Sequence, residues 1–100
     1  MDSLTKNQKK YLRSLGHRLK PVVMVGQKGL SESVLLELES TMLKHELLKI
    51  KIRTEDRDDK FSMVNKIIEF SKSNLVQVVG NVVLIYRPFE DEPIISLPRK

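Results

Sequence analysis

Residues 22–38, VVMVGQKGLSESVLLEL, change their hydrophobic period within a single turn. Four consecutive apolar residues run into Gly26-Gln27-Lys28-Gly29, and a helical pattern starts at once, with Val34, Leu35, Leu38, Met42 and His45 on one face. An apolar run this short reads as a strand, here one covered on both faces. The segment that follows, LLKIKIRTE, alternates: Leu48, Ile50 and Ile52 on one side, Lys49, Lys51 and Arg53 on the other. That is a half-buried strand with a basic outer face. Strand, helix and strand in this order pack as two parallel strands bridged by a helix.

The rest of the chain is built around that unit. Thr5 and Gln8 have the spacing of a capping box. They open a helix whose apolar side is Tyr11, Leu12, Leu15 and Leu19, and which Pro21 ends by disfavouring a helical conformation at Lys20. After Arg53, the charged turn EDRDDK begins a third helix, with Asp58 as its cap and Phe61, Val64, Ile67, Ile68 and Ser71 as its apolar face. Asn74 is expected to end it. LVQVV and VVLIYR are joined by Gly80-Asn81, the signal of a two-residue hairpin turn. PFEDEP reads as a loop and IISLPRK as a tail adding a short edge segment. The expected fold is α/β, in two-layer α+β form: helix-strand-helix-strand-helix-strand-strand around a four-stranded mixed sheet. Residues 1–100 are expected to form a single domain, with 93–100 as a C-terminal tail.

Charge narrows the function. The net charge is +5. Residues 1–20 alone hold six basic residues and one acid, Asp2, which accounts for all of it; the other 80 residues hold 12 basic and 12 acidic groups. On the first helix Lys6, Lys9, Lys10, Arg13, His17 and Lys20 fall within an arc of about 100° opposite the apolar side, and no acid interrupts them. A solvated face usually mixes signs, whereas a single-signed one suits a polyanionic partner. With no cysteine in the chain, disulfides, thiol nucleophiles and cysteine-ligated metals are excluded. The N-terminus, MDSLTKNQKK, lacks the apolar core of a signal peptide, and no apolar run nears the roughly 20 residues of a membrane span. A cytoplasmic location with no membrane partner is expected.

The glycine loop fits the same partner. A strand turning into a helix leaves outward-pointing N–H groups at the positive end of the helix dipole, where an anion fits. Gly26 and Gly29 remove the Cβ atoms that would hold a sugar-phosphate backbone away, they permit φ > 0, and Lys28 adds a mobile charge. The loop has neither the spacing of a Walker loop nor the third glycine of a dinucleotide fingerprint. Its nearest precedent is the G-x-x-G clamp of KH domains on nucleotide backbone. An ordinary strand-helix turn is the alternative.

The stretch LTKNQKKYLRSLGHRLKPVVMVGQKGLSESVL resembles the opening of the CRM domain, an RNA-binding module of chloroplast splicing factors and stand-alone bacterial YhbY-like proteins. HELLKIKI, VQVVGNVVLIYRP and the closing ISLPR extend the resemblance over nearly all 100 residues. It implies a fold similar to the C-terminal domain of translation initiation factor three. It also implies association with ribosomal RNA in precursors of the large ribosomal subunit and a part in their assembly. Many members carry lysine directly after the first glycine; here that place is Gln27, and the lysine is Lys28.

The expected RNA-binding residues are therefore Gly26, Gln27, Lys28, Gly29, Lys6, Lys9, Lys10, Arg13, His17, Lys20, Lys49, Lys51 and Arg53, in a monomer that needs no cofactor. Tyr11 and Tyr86 are the tyrosines able to stack on bases, although Tyr11 falls on the core face. So few exposed aromatics favour structured RNA read by shape. His45, on an apolar helix face, is expected in the core or at a helix end, and Ser31 as a helix cap. Glu55, Asp56, Asp58 and Asp59 lack the spacing and central glycine of a calcium loop and read as capping and charge balance. Two other functions are open. An enzyme acting on a small phosphorylated ligand would need a base or nucleophile beside the glycines, and the sequence offers none. A protein adaptor would use Leu36 and Leu43, a second stripe that contacts either another element of the chain or a partner.

Overall fold

In a computed structural model that describes residues 3–100, the elements follow the expected order. They are α1 (Lys6–Gly16), β1 (Pro21–Val25), α2 (Glu32–Met42), β2 (Leu47–Ile52), α3 (Arg57–Ser71), β3 (Asn74–Val79) and β4 (Val82–Tyr86). The sheet order is β1-β2-β4-β3. β1 and β2 are parallel, joined by α2, and β4 lies antiparallel between β2 and β3. Gly80 at φ 57° makes the two-residue turn that reverses the chain into β4. As a central strand β4 is covered on both faces, which is why Val83, Leu84, Ile85 and Tyr86 are all buried.

Strand alternation divides the apolar residues between two cores. Val23, Val25, Leu48, Ile50, Ile52, Val83 and Ile85 meet Leu38 and Met42 of α2 and Val64 and Ile67 of α3. This pair of layers is the expected arrangement, but α1 packs on the opposite face and adds a third layer, because the sheet has apolar residues on both faces. On the other face Leu47, Val76, Leu84 and Tyr86 meet Leu12 of α1, with Leu4, Ile95 and Leu97 packed at the margin. α1 lies over β2, β3 and β4. β1 is an edge strand, and the expectation that both its faces are covered fails: Val22 is 50% and Met24 45% exposed.

Local signals set some ends and not others. The capping box forms as expected, with Thr5 Oγ1 accepting from Gln8 N at 3.1 Å and Thr5 N donating to Gln8 Oε1 at 3.0 Å. α1, however, stops at Gly16, five residues before Pro21. Asp56, not Asp58, caps α3; its carboxylate accepts from Asp58 N at 2.8 Å and Asp59 N at 3.1 Å. Asp58 and Asp59 then sit in the first turn, where their charge favours the helix dipole. α3 ends at Ser71 through Lys72 at φ 53°, and Asn74 already belongs to β3.

The tail forms no edge strand. It is an irregular strap fastened by Glu46, which is 3% exposed. The Glu46 carboxylate accepts from Phe89 N at 2.7 Å, Ile94 N at 2.9 Å and Ile95 N at 2.7 Å. Gln8 Nε2 donates to Pro98 O at 2.9 Å, tying the strap to α1.

Candidate nucleic-acid interface

α1 turns its basic residues in a direction the helical pattern does not give. The inward residues are Leu12 and Gly16, while Tyr11 and Leu15 remain 38% and 40% exposed. The cause is Gly16. A Cβ there would lie 2.7 Å from Leu84 Cδ2, so the helix rests on the sheet at its glycine. At about 100° per residue the stripe from Leu12 to Gly16 runs beside Lys9 and Arg13, not opposite them. Lys9 is accordingly part-buried, and Arg13 reaches the sheet surface. Lys6 and Lys10 are exposed further round the helix. His17 and Lys20 lie beyond the helix end, so the expected six-residue helical arc is interrupted after Arg13.

Between α1 and the uncovered part of the sheet is a trough of about 430 Å³, lined by Arg13, Gly16 and His17 on one side. Lys49, Gln77, Val79, Val82 and Leu84 line its floor, with Pro21 at the edge, and no acid is among the lining residues. The β2–β4 register sets Lys49 opposite Leu84 and Lys51 opposite Val82, so Lys51 continues the cationic row over the open face. Met24, paired with Lys51 across the β1–β2 register, and the exposed Val79 add apolar area there. Gln77 reaches this face through an irregularity in β3 between Leu75 and Gln77. A bulge of that kind leaves no signature in LVQVV, so Gln77 was not legible as a site residue. Gly16 was, in principle: a glycine inside a helical pattern marks a close approach.

The glycine loop is a separate turn, not the first turn of α2. Gly29 N donates to Gly26 O at 3.0 Å, which closes the four residues on themselves. Leu30 intervenes, and Ser31 caps α2 as expected, its Oγ accepting from Val34 N at 3.3 Å. Gly29 alone uses the left-handed region, at φ 77°. At Gly26 an added Cβ would meet nothing within 4 Å, so its backbone is open to approach. Gln27 and Lys28 are exposed between the two glycines. Arg53 N donates to Val25 O at 2.9 Å, which seats Arg53 beside this turn at the end of β2. The turn, Arg53, Lys51 and Met24 thus adjoin at one end of the sheet.

Other candidates separate from this surface. Tyr86 is buried; burial, followed by the Glu46 charge, raises its pKa above the ordinary value, and it offers no ring to a base. His45 is exposed after α2, with its backbone N donating to Thr41 O at 3.0 Å, so it is not a core histidine. Leu36 and Leu43 are both exposed, and the second stripe makes no intramolecular core.

Residues 4–87 match the CRS1 / YhbY (CRM) domain. The chain belongs to that family. A relative from Haemophilus influenzae named "RNA-binding protein" is 44% identical over 100 residues, 100% of both chains. One from Pseudomonas aeruginosa named "probable RNA-binding protein" is 45% identical over 85% of this chain and 82% of its own. The solution structure of a Staphylococcus aureus protein, described there as a hypothetical and candidate RNA-binding protein, superposes with a TM-score of 0.82. It is 36% identical and covers 95% of this chain and 99% of its own. Every element of the sheet, α1 and the glycine turn lie inside the matched CRM range; the strap held by Glu46 follows it.

Proposed function

We propose that this CRM domain binds RNA by its backbone, along a path from the α1 flank across the open sheet to the Gly26–Gly29 turn. The observation that carries this is the trough in which Arg13, His17 and Lys49 converge without an acid. Cations gathered in a concave surface raise the local concentration of a polyanion and exchange counterions for phosphates. Lys51, Arg53 and Lys28 extend the path, and Lys9, Lys6, Lys10 and Lys20 supply surrounding positive field. Such contacts supply affinity and positioning; they do not choose sequence. The names of the relatives support RNA as the polyanion.

The RNA we assign is ribosomal RNA in precursors of the large subunit, whose assembly the protein assists as a cytoplasmic monomer and not as an enzyme. Among the described residues no helix is long and apolar enough to cross a membrane. The test is sedimentation of cell extract at low and raised salt. The protein is expected with large-subunit precursors, released by a few tenths molar salt, roughly where counterion-driven binding collapses. Recovery only at the top of the gradient at low salt, with precursors present, would reject the ribosomal assignment.

A further inference from the structure

On the far side of the glycine turn from the trough, a second concavity runs between α2 and α3. It has a volume of about 740 Å³, within the range of clefts that hold small organic groups. Its apolar lining is Leu30, Leu35, Met63 and Phe70, and its polar lining is Lys28, Gly29, Lys66 and Glu69. Lys28 is shared with the turn that the RNA backbone is proposed to follow. Among the described residues neither Lys28 nor Lys66 is in an ion pair. The exposed Phe61, one turn from the start of α3, has cations against its ring, Arg57 at 5.7 Å and Lys60 at 5.5 Å. Among the described residues Phe70 has none, and it borders the groove with 44% of its surface exposed. An apolar lining with an aromatic ring and two lysines outside any ion pair fits a nucleotide with its base turned inward and its phosphate at the lysines.

We infer that this groove takes a single unpaired nucleotide of the bound RNA, its base against Phe70, Met63 and Leu35 and its phosphate between Lys28 and Lys66. The inference rests on the RNA-binding reading above. Glu69 is an acceptor only, so it favours bases that carry an exocyclic amine over uracil. The substrate is then structured RNA with an unpaired nucleotide beside a helix: the helix lies along the cationic trough, and the unpaired residue turns in past Gly29.

The experiment compares a hairpin carrying one bulged 2-aminopurine with the same hairpin fully paired. Fluorescence anisotropy gives affinity, and the 2-aminopurine emission reports the surroundings of the base. Wild type is expected to prefer the bulged hairpin by about tenfold, the scale of one base-aromatic contact. Phe70→Ala is expected to remove that preference and the emission change while leaving affinity for the paired hairpin intact. Phe70 lies outside both cores, so the variant folds; Lys66→Ala, also at the surface, is expected to reduce the preference in the same direction. Equal affinity of wild type for both hairpins, or a preference that survives both variants, would overturn the groove assignment and leave the RNA-binding reading standing. Failure of wild type to bind either hairpin would overturn both. Adenosine monophosphate binding as tightly as the bulged hairpin would also overturn the inference, in favour of a site for free nucleotide.

Discussion

Arg87 grips Glu39 with both ends of its guanidinium: Nη1 lies 2.9 Å from Oε1 and Nη2 3.0 Å from Oε2. Nη1 also donates to Ser71 O, the last residue of α3, at 2.9 Å. One side chain beyond the end of β4 therefore joins α2 to the C-terminus of α3 and closes the helical layer. The hydrogen bond from Arg87, opposed by desolvation and aided by its charge, lowers the Glu39 pKa below its ordinary value of 4.5. A lowered carboxylate pKa stabilises the fold above the unfolded value, and that contribution is lost as pH falls through the folded one. Glu39→Gln is thus expected to cost under about 1 kcal/mol at neutral pH, because the pair is part-exposed. It is expected to flatten the acid limb of stability below about pH 4.5, as urea melts of both proteins across pH 3–6 would measure. Arg87→Ala is expected to cost more, because it also strips a donor from the Ser71 carbonyl.

Glu46→Gln tests the strap. The buried carboxylate serves three backbone N–H groups, and an amide offers one oxygen to them in its place. The expected loss is about 2 kcal/mol. Hydrogen exchange is expected to quicken at Phe89, Ile94 and Ile95, while the amides of β2 and β4 keep their relative protection. Unchanged exchange at those three positions would show that packing of Ile95 and Leu97 holds the strap without Glu46.

Gly16→Ala sets two known effects against each other. Alanine is favoured over glycine by about 0.5–1 kcal/mol in the middle of a helix, and by less at Gly16, the last residue of α1. Its Cβ would also sit 2.7 Å from Leu84 Cδ2 in a buried contact. Overpacking of that kind costs about 1–3 kcal/mol. The variant is expected to be less stable by about 1 kcal/mol, and shortening the neighbour with Leu84→Val is expected to restore part of the loss in a double-mutant cycle. A more stable Gly16→Ala would mean that α1 can lift off the sheet without cost.

The trough makes a charge prediction that can be localised. Arg13→Glu and Lys49→Glu face the same space and are expected to weaken RNA binding across sequences. They should also make log affinity less steep against log salt, by roughly one unit for each phosphate no longer neutralised. Lys6→Glu and Lys10→Glu, further from the sheet, are expected to act less. Equal effects from all four, measured by salt titration of binding, would point to a general field and against a path through the trough.

The two glycines of the turn are expected to respond differently. Gly26→Ala meets open space in an ordinary backbone conformation, so its melting temperature is expected to stay near wild type while RNA affinity falls. Gly29→Ala carries a stability cost of order 1 kcal/mol from φ 77°. Gly29→Asp carries the same backbone cost and adds a negative charge, so its extra loss of affinity over Gly29→Ala reads phosphate contact alone. Equal affinity losses for Ala and Asp at Gly29, with none for Gly26→Ala, would leave an ordinary turn.

The order of elements, the capping box, the Ser31 cap and the Gly80-Asn81 hairpin were legible because each depends on residues within a few positions of one another. The alternation of LLKIKI likewise places Leu48, Ile50 and Ile52 in one core, whatever lies around them. What the sequence could not determine are facts about contacts distant in the chain. Tyr11, Leu15 and Leu19 look like the inner side of α1, yet Gly16 lets the backbone approach Leu84, 68 positions away, and rolls the helix so that Arg13 borders the sheet. β1 reads as doubly covered because an apolar run records hydrophobicity and not position; only the strand order makes it an edge. Nothing local to Glu46 marks it for burial; the strap, returning from more than 40 positions away, gives it three N–H donors. Local chemistry determined which helices and strands form, and tertiary packing decided which faces meet, so the cationic trough exists only in the folded chain.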